Sequence, residues 1–184
     1  MTFATDTLLQ TRTALAAQMP VVETERLILR APVLADFEQV ATFYAHPRSE
    51  PIGGPIDRNE AWSAFAAGAG QWLLRGYGFW EIIDRATNTT IGRAGIYHPD
   101  IWPEPELGWM IYADGHEGRG IAYEAAVAAR DGAARHFGIT RPMSSIEATN
   151  TRSIKLAERM GAVRDGEWET PYGPMLRFRH GVTA

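Results

Sequence analysis

The sequence predicts an α+β fold: a central mixed, mainly antiparallel sheet of about seven strands, flanked by helices. Three observations lead there. Short apolar runs bounded by charges, Pro and Gly read as strands. Other windows repeat apolar residues at helical spacing. Some strands are joined by tight turns and others by a helix, which mixes antiparallel with parallel pairing. A chain of 184 residues with 45% hydrophobic content can bury one sizeable core.

Residues 1–20 are Ala-rich up to Met19-Pro20 and read as an amphipathic helix or a loose arm, leaving one domain over residues 21–184. Arg26 to Arg30 is an apolar run between charges, closed by Pro32, and predicts a strand. Asp36 suits an N-cap or first-turn position ahead of Phe37, Val40, Ala41 and Tyr44. Pro47, Pro51, Gly53, Gly54 and Pro55 make 46–57 a loop, and a helix follows around Glu60 to Leu74.

Phe79 to Asp84 and Ile91 to Tyr97 read as a hairpin turned by Asp84, Thr87 and Asn88. In the strand Glu106 to Tyr112, Leu107, Trp109 and Ile111 point one way, while Glu106, Gly108, Met110 and Tyr112 point the other. A glycine-rich turn, Gly115 to Gly120, enters a helix from Ile121 to Phe137 that Gly138 stops. Its Ala122, Ala125, Ala126, Ala129 and Ala133 allow close approach to a sheet. Met143 to Thr149 is a further strand, Asn150 caps a helix ending at Gly161, and strands Gly166 to Thr170 and Met175 to Phe178 close the chain.

Composition narrows the function. With no cysteine, a disulfide framework, a thiol nucleophile and a thiolate metal site are excluded. His46, His98, His116, His136 and His180 show no metal-ligand spacing, so no metal is expected. A net charge of −4 argues against nucleic acid as a partner. There is no apolar run long enough to span a membrane, and Asp6, Gln10 and Arg12 interrupt the stretch where a signal peptide needs an apolar core. A cytoplasmic protein, monomeric or homodimeric and away from membranes, is expected.

The informative stretch runs from Glu106 to Ala126: strand, glycine-rich turn, helix. Such a turn presents unpaired backbone N–H groups at the positive end of a helix dipole, which favours an anion such as a phosphate. Gly118 and Gly120 leave room for a pyrophosphate beside the main chain, and Arg119 adds a cation. Taken alone, the same turn is equally compatible with a tight connection. A P-loop lacks its Gly-Lys-Ser/Thr here, and the dinucleotide fingerprint lacks its third small residue, where Tyr123 sits.

The segment Glu117-Gly118-Arg119-Gly120-Ile121-Ala122 resembles the acetyl-CoA loop of the GNAT N-acetyltransferase superfamily, of form Arg/Gln-x-x-Gly-x-Gly/Ala, with Glu117 a departure. Glu23 to Arg30, Gly78 to Glu81, Ile91-Gly92 and Asn150 to Gly161 look like the subgroup related to ribosomal-protein N-terminal acetyltransferases, so the resemblance covers residues 22–178. It implies transfer of an acetyl group from acetyl-CoA to a primary amine on a protein N-terminus or small molecule. The alternative is a non-catalytic acyl-CoA-binding or regulatory domain of the same fold.

The resemblance also implies roles for residues. Glu106 is the candidate general base; without that role it is a solvated strand-end carboxylate. Ser153 is the candidate acid at the leaving thiolate, because no tyrosine stands at the matching late-helix position. Trp109, Met110 and Ile111 are expected to meet the pantetheine arm through their backbone, where the sheet splays. Glu117 to Tyr123 would hold the diphosphate. Asn150 would contact the pantetheine arm besides capping its helix, and Arg152 either reaches the nucleotide phosphates or is an exposed helix arginine. Tyr44, Tyr97, Trp102 and Tyr172 would surround the acceptor, while Trp62, Trp72, Phe79 and Trp80 are core or pocket wall.

Overall fold

Helix α1 (Asp6–Ala17) leads into eight strands in the computed structural model, which describes residues 6–181 apart from Ala113 and Glu117. The strands are β1 (Val22–Glu23), β2 (Leu27–Arg30), β3 (Phe79–Asp84), β4 (Thr89–Tyr97), β5 (Glu106–Ile111), β6 (Met143–Ile146), β7 (Val163–Thr170) and β8 (Gly173–Arg179). They form one sheet in the order β1-β2-β3-β4-β5-β6-β8-β7. Every pair is antiparallel except β5 with β6, which α4 (Ile121–Phe137) connects. Helices α2 (Phe37–Tyr44), α3 (Arg58–Arg75) and α5 (Thr151–Arg159) complete the described elements with two short 3₁₀ turns.

The two faces of the sheet follow from period-two alternation. Leu27, Leu29, Trp80, Ile82, Ala94, Ile96 and Leu107 are buried on one face against Ala125, Ala126, Ala129 and Ala133 of α4. Those alanines are fully buried, so the helix backbone lies close to the sheet. Gly132 belongs to the same contact: a methyl there would stand 2.9 Å from Val22 Cγ2 and 3.4 Å from Trp80. On the opposite face α2 and α3 build a second cluster, including Phe37, Val40, Phe43, Phe65 and Tyr112.

Several boundaries differ from the sequence expectation. The eighth strand is the two-residue β1, too short to show alternation. β6 stops at Ile146 instead of Thr149, because Asn150 N turns back to Glu147 O at 2.9 Å. β7 begins at Val163, and the register shift between Arg164 and Glu167 contains Gly166 at φ +92°. α3 begins at Arg58, where Asp57 accepts from the N–H groups of Asn59 and Glu60 and Glu60 accepts from Asp57 N. Within the expected 46–57 loop, Pro47–Ile52 forms a 3₁₀ turn.

Asp36 holds the expected N-cap position of α2, but its side chain makes no cap hydrogen bond. Its buried carboxylate accepts from both terminal nitrogens of Arg30 at 2.8 Å, from Val33 N at 2.7 Å and from Thr90 Oγ1 at 2.6 Å. Burial pushes its carboxyl up, but the bonds from Arg30, Thr90 and Val33 outweigh that and hold it below the ordinary value. Trp72 and Trp80 are core, whereas Trp62 is 41% exposed and meets Phe37 edge-on.

Candidate active site

β5 and β6 are joined at one register pair, Glu106 with Met143, and diverge beyond it. The parting opens a cleft of about 760 Å³ whose lining includes Glu106, Trp109, Met110, Asn150 and Ser153. These five expected site residues are therefore brought together. The far side of the cleft is α3, where Ala64, Ala67 and Gly68 keep the wall low. Tyr44, Tyr97, Trp102 and Tyr172 also line it, as expected of residues around an acceptor.

Glu106 is not a freely solvated strand end. Its Oε2 accepts from Trp102 Nε1 at 2.5 Å and its Oε1 from Ser145 N at 3.0 Å. Trp102 is itself fixed by edge contacts with Tyr97 and Trp168, both at 5.3 Å between centroids, and Trp168 Nε1 donates to Ser145 Oγ at 2.9 Å. Burial raises the Glu106 carboxyl above its ordinary value, and the bonds from Trp102 and Ser145 only partly oppose this. A carboxylate offers about four lone-pair sites, so two remain for an incoming donor. The arrangement is a carboxylate of raised basicity, aimed by two donors and walled by aromatic rings.

Asn150 caps α5, with Oδ1 accepting from Ser153 N at 3.1 Å, which sets Ser153 in the first turn beside the cleft. Arg152, in the same turn, is exposed and lines neither described groove.

The glycine turn at the start of α4 lies outside the lining of that cleft. Gly115, Gly118 and Gly120 adopt φ of +79°, +72° and +77°, a region that disfavours side chains. Gly120 is the N-cap of α4 and has no side chain with which to cap it. Among the described residues, no acceptor takes a hydrogen bond from the amides of Gly118 to Ala122. Donors at a helix N-terminus with no partner among the described residues, and open space above Gly118, suit a diphosphate.

The turn is anchored from outside. Arg26 Nη1 donates to Arg119 O at 2.9 Å, and Arg26 pairs with Glu124 at 2.6 Å. Arg119, Gly120 and Tyr123 line a second groove with Arg26 and Arg159, whose guanidinium lies 4.1 Å from the Tyr123 ring centroid. Ile121 is buried in the core, so any contact it makes with a ligand is through its main chain. Gly118, Ala122 and Ile111 line neither groove, and the expected contact at Glu117 lies outside the described residues. His116 is neither solvent-exposed nor aimed at the turn: Nε2 lies 3.5 Å from Asp84 Oδ2.

Sequence reasoning did not find Ser145, which holds Glu106 through its amide, nor Arg93 in the cleft floor. No local motif marks either residue; the strand register brings them in. No group of three or more His, Cys, Asp or Glu able to hold a metal occurs among the described residues. Nor is any helix among them long and apolar enough to cross a membrane.

A model of the acetyltransferase (GNAT) domain matches residues 26–163. An acetyltransferase from Agrobacterium tumefaciens is 38% identical, with 89% of this chain and 95% of that one covered at a TM-score of 0.83. The chain belongs to the GNAT acetyltransferase family. The same fold recurs in a ribosomal-protein-S5-alanine acetyltransferase from Vibrio fischeri, at 15% identity, 88% and 96% coverage and a TM-score of 0.68. It recurs too in an aminoglycoside acetyltransferase in complex with coenzyme A, at 16% identity, 84% and 94% coverage and a TM-score of 0.72. Two acceptors so unlike, on backbones so similar, show that the fold alone does not set the acceptor.

Proposed function

We propose that the protein transfers the acetyl group of acetyl-CoA directly to a primary amine, on a protein N-terminus or a small molecule. The observation that carries this reading is the continuity of one cleft from Glu106 to Asn150 and Ser153, through the opening between β5 and β6. The amides of Gly118 to Ala122, without a partner among the described residues, take the diphosphate together with Arg119. The parted edge of β5 at Trp109, Met110 and Ile111 takes the pantetheine arm, with Asn150 beside it. Arg152 at the start of α5, and Tyr123 with its stacked Arg159, serve the nucleotide end.

An amine attacks only after losing a proton. Glu106, its basicity raised by burial, accepts that proton as the C–N bond forms at the thioester carbon. The C–S bond then breaks, and the Ser153 hydroxyl donates to the departing sulfur. Tyr97, Trp102 and Tyr172 favour an ammonium at the mouth through their ring faces. No covalent enzyme intermediate is needed.

The test is release of free thiol from acetyl-CoA by the purified protein across a panel of amines. Amine-dependent thiol release is the expected result. Binding of acetyl-CoA without release for any amine contradicts it and leaves a non-catalytic acyl-CoA-binding domain.

A further inference from the structure

The cleft floor holds a charge that neither the coenzyme loop nor Glu106 uses. Arg93 is 7% exposed, and its guanidinium lines the cleft with Tyr44, Phe79 and Met110. Nη2 donates to Tyr44 Oη at 2.8 Å, Nε meets Met110 Sδ at 3.2 Å, and the guanidinium carbon sits 4.8 Å from the Phe79 ring centroid. None of these partners carries a negative charge. Nη1 has no hydrogen-bond acceptor among the described residues, and a methyl at Gly68 would stand 3.7 Å from it. With glycine there, Nη1 opens on the cleft beneath α3.

The carboxylate opposite in register does not answer it. Glu81 pairs with Arg93 across β3 and β4, yet the two form no ion pair among the described residues, and Glu81 Oε2 is buried without a partner. Arg30, next in the row, is committed to Asp36. Burial pushes the Glu81 carboxyl up to about 7, with Arg93 only partly opposing this, so near neutrality its compensating charge is incomplete. A buried guanidinium without a full counter-charge is costly, and an anion that binds it recovers strong charge-assisted hydrogen bonds.

Distance limits what that anion belongs to. Arg93 faces Met110, and Tyr97 faces Glu106, four positions further along the same strands. At the usual strand rise this separates the two sites by roughly 13 Å. The amine and carboxylate of one amino acid are too close together to reach both, whereas an extended peptide of three or four residues spans that length.

Resting on the acyl-transfer reading of the cleft, we infer that Arg93 selects the acceptor: it receives a carboxylate on about the third residue from the amine, so the preferred substrate is the N-terminus of a short peptide segment carrying a carboxylate there. The carboxylate has two possible sources, an acidic side chain or the free C-terminus of a tripeptide.

Two matched pairs of tripeptides separate these sources and test the inference: Ala-Ala-Glu amide against Ala-Ala-Gln amide, and Ala-Ala-Ala acid against its amide. Wild-type protein should favour the carboxylate member of at least one pair by about tenfold in kcat/KM, through KM, as one charge-assisted pair implies. Arg93→Met should bring that ratio to near unity. Gly68→Asp should do the same with Arg93 retained, because it supplies the carboxylate from within the chain; it decides the matter if Arg93→Met does not fold. Equal use of both members by wild type, or a preference that survives Gly68→Asp, overturns the inference while leaving acyl transfer standing. If no peptide is turned over, tryptophan fluorescence titration of the CoA-loaded protein reads the same preference in binding: a tenfold difference sustains the role of Arg93, and equal affinities end it.

Discussion

The two faces of β3, β4 and β5 are built from alternate residues of the same strands and have almost nothing in common chemically. Toward α4 they present Trp80, Ile82, Ala94, Ile96 and Leu107, close-packed and apolar. Toward α2 and α3 they present Glu81, Arg93, Glu106 and Met110, with Gly108 in the cleft lining. One face holds the sheet to its helix by area removed from water. The other buries carboxylates and a guanidinium among its packed side chains, which shifts their proton affinities.

Substitutions on the two faces should therefore fail in different ways. Trp80→Ala, on the α4 face, removes the largest fully buried side chain and should destabilise by about 3–5 kcal/mol, read by denaturant unfolding, with kcat per folded molecule little changed. Glu106→Gln, on the cleft face, should lower kcat by about 10²- to 10⁴-fold with unfolding barely altered. In wild type, kcat/KM should fall as pH drops through the raised Glu106 value, and the variant should lose that limb. If Trp80→Ala reduces turnover without loss of stability, the division between faces fails.

Glu81→Gln sharpens the comparison, because this carboxyl is on the cleft face but touches no proposed substrate atom. Its folded value of about 7 lies above its ordinary 4.5, so the folded state holds the proton more tightly. The stability this gives is fully present below about 4.5 and is lost as pH rises through 7. Wild type should thus match the variant near pH 5 and fall behind it at pH 8, by on the order of 2–3 kcal/mol in thermal unfolding. A constant difference across that range would show that Glu81 is ionised throughout. Smallest should be Ser153→Ala, about tenfold or less in kcat with coenzyme affinity kept, because a departing thiolate is a stable leaving group that water can protonate.

What the sequence discloses divides along similar lines. The α4 face was legible because alternation in Leu107, Trp109 and Ile111 and the alanine spacing of α4 are local patterns. So were the stops at Gly138 and Gly161 and the cap at Asn150. The glycine turn was legible as a turn because glycines at a strand-to-helix junction carry their backbone requirement with them, as the positive φ of Gly118 and Gly120 bears out. The cleft face was not, since its chemistry depends on register between distant segments. Arg30, Glu81 and Arg93 form one row only once β2, β3 and β4 are aligned, and Glu106 acquires its partners from the Trp102 loop and from β6. Asp36 divides the same way: its place at the N-cap of α2 was legible, but its partners Arg30 and Thr90 were not.

The proposed coenzyme binding depends most on the main-chain donors at the start of α4 that have no partner among the described residues. Calorimetric titration of coenzyme A into wild type and Gly120→Glu tests it most directly. Gly120 has φ +77° and no side chain to cap the helix, so a glutamate there adds strain and a negative charge where the diphosphate is proposed to bind. The predicted result is saturable binding to wild type and none to a variant that remains folded by circular dichroism. Equal affinity in both proteins, or no binding heat with wild type, would contradict it.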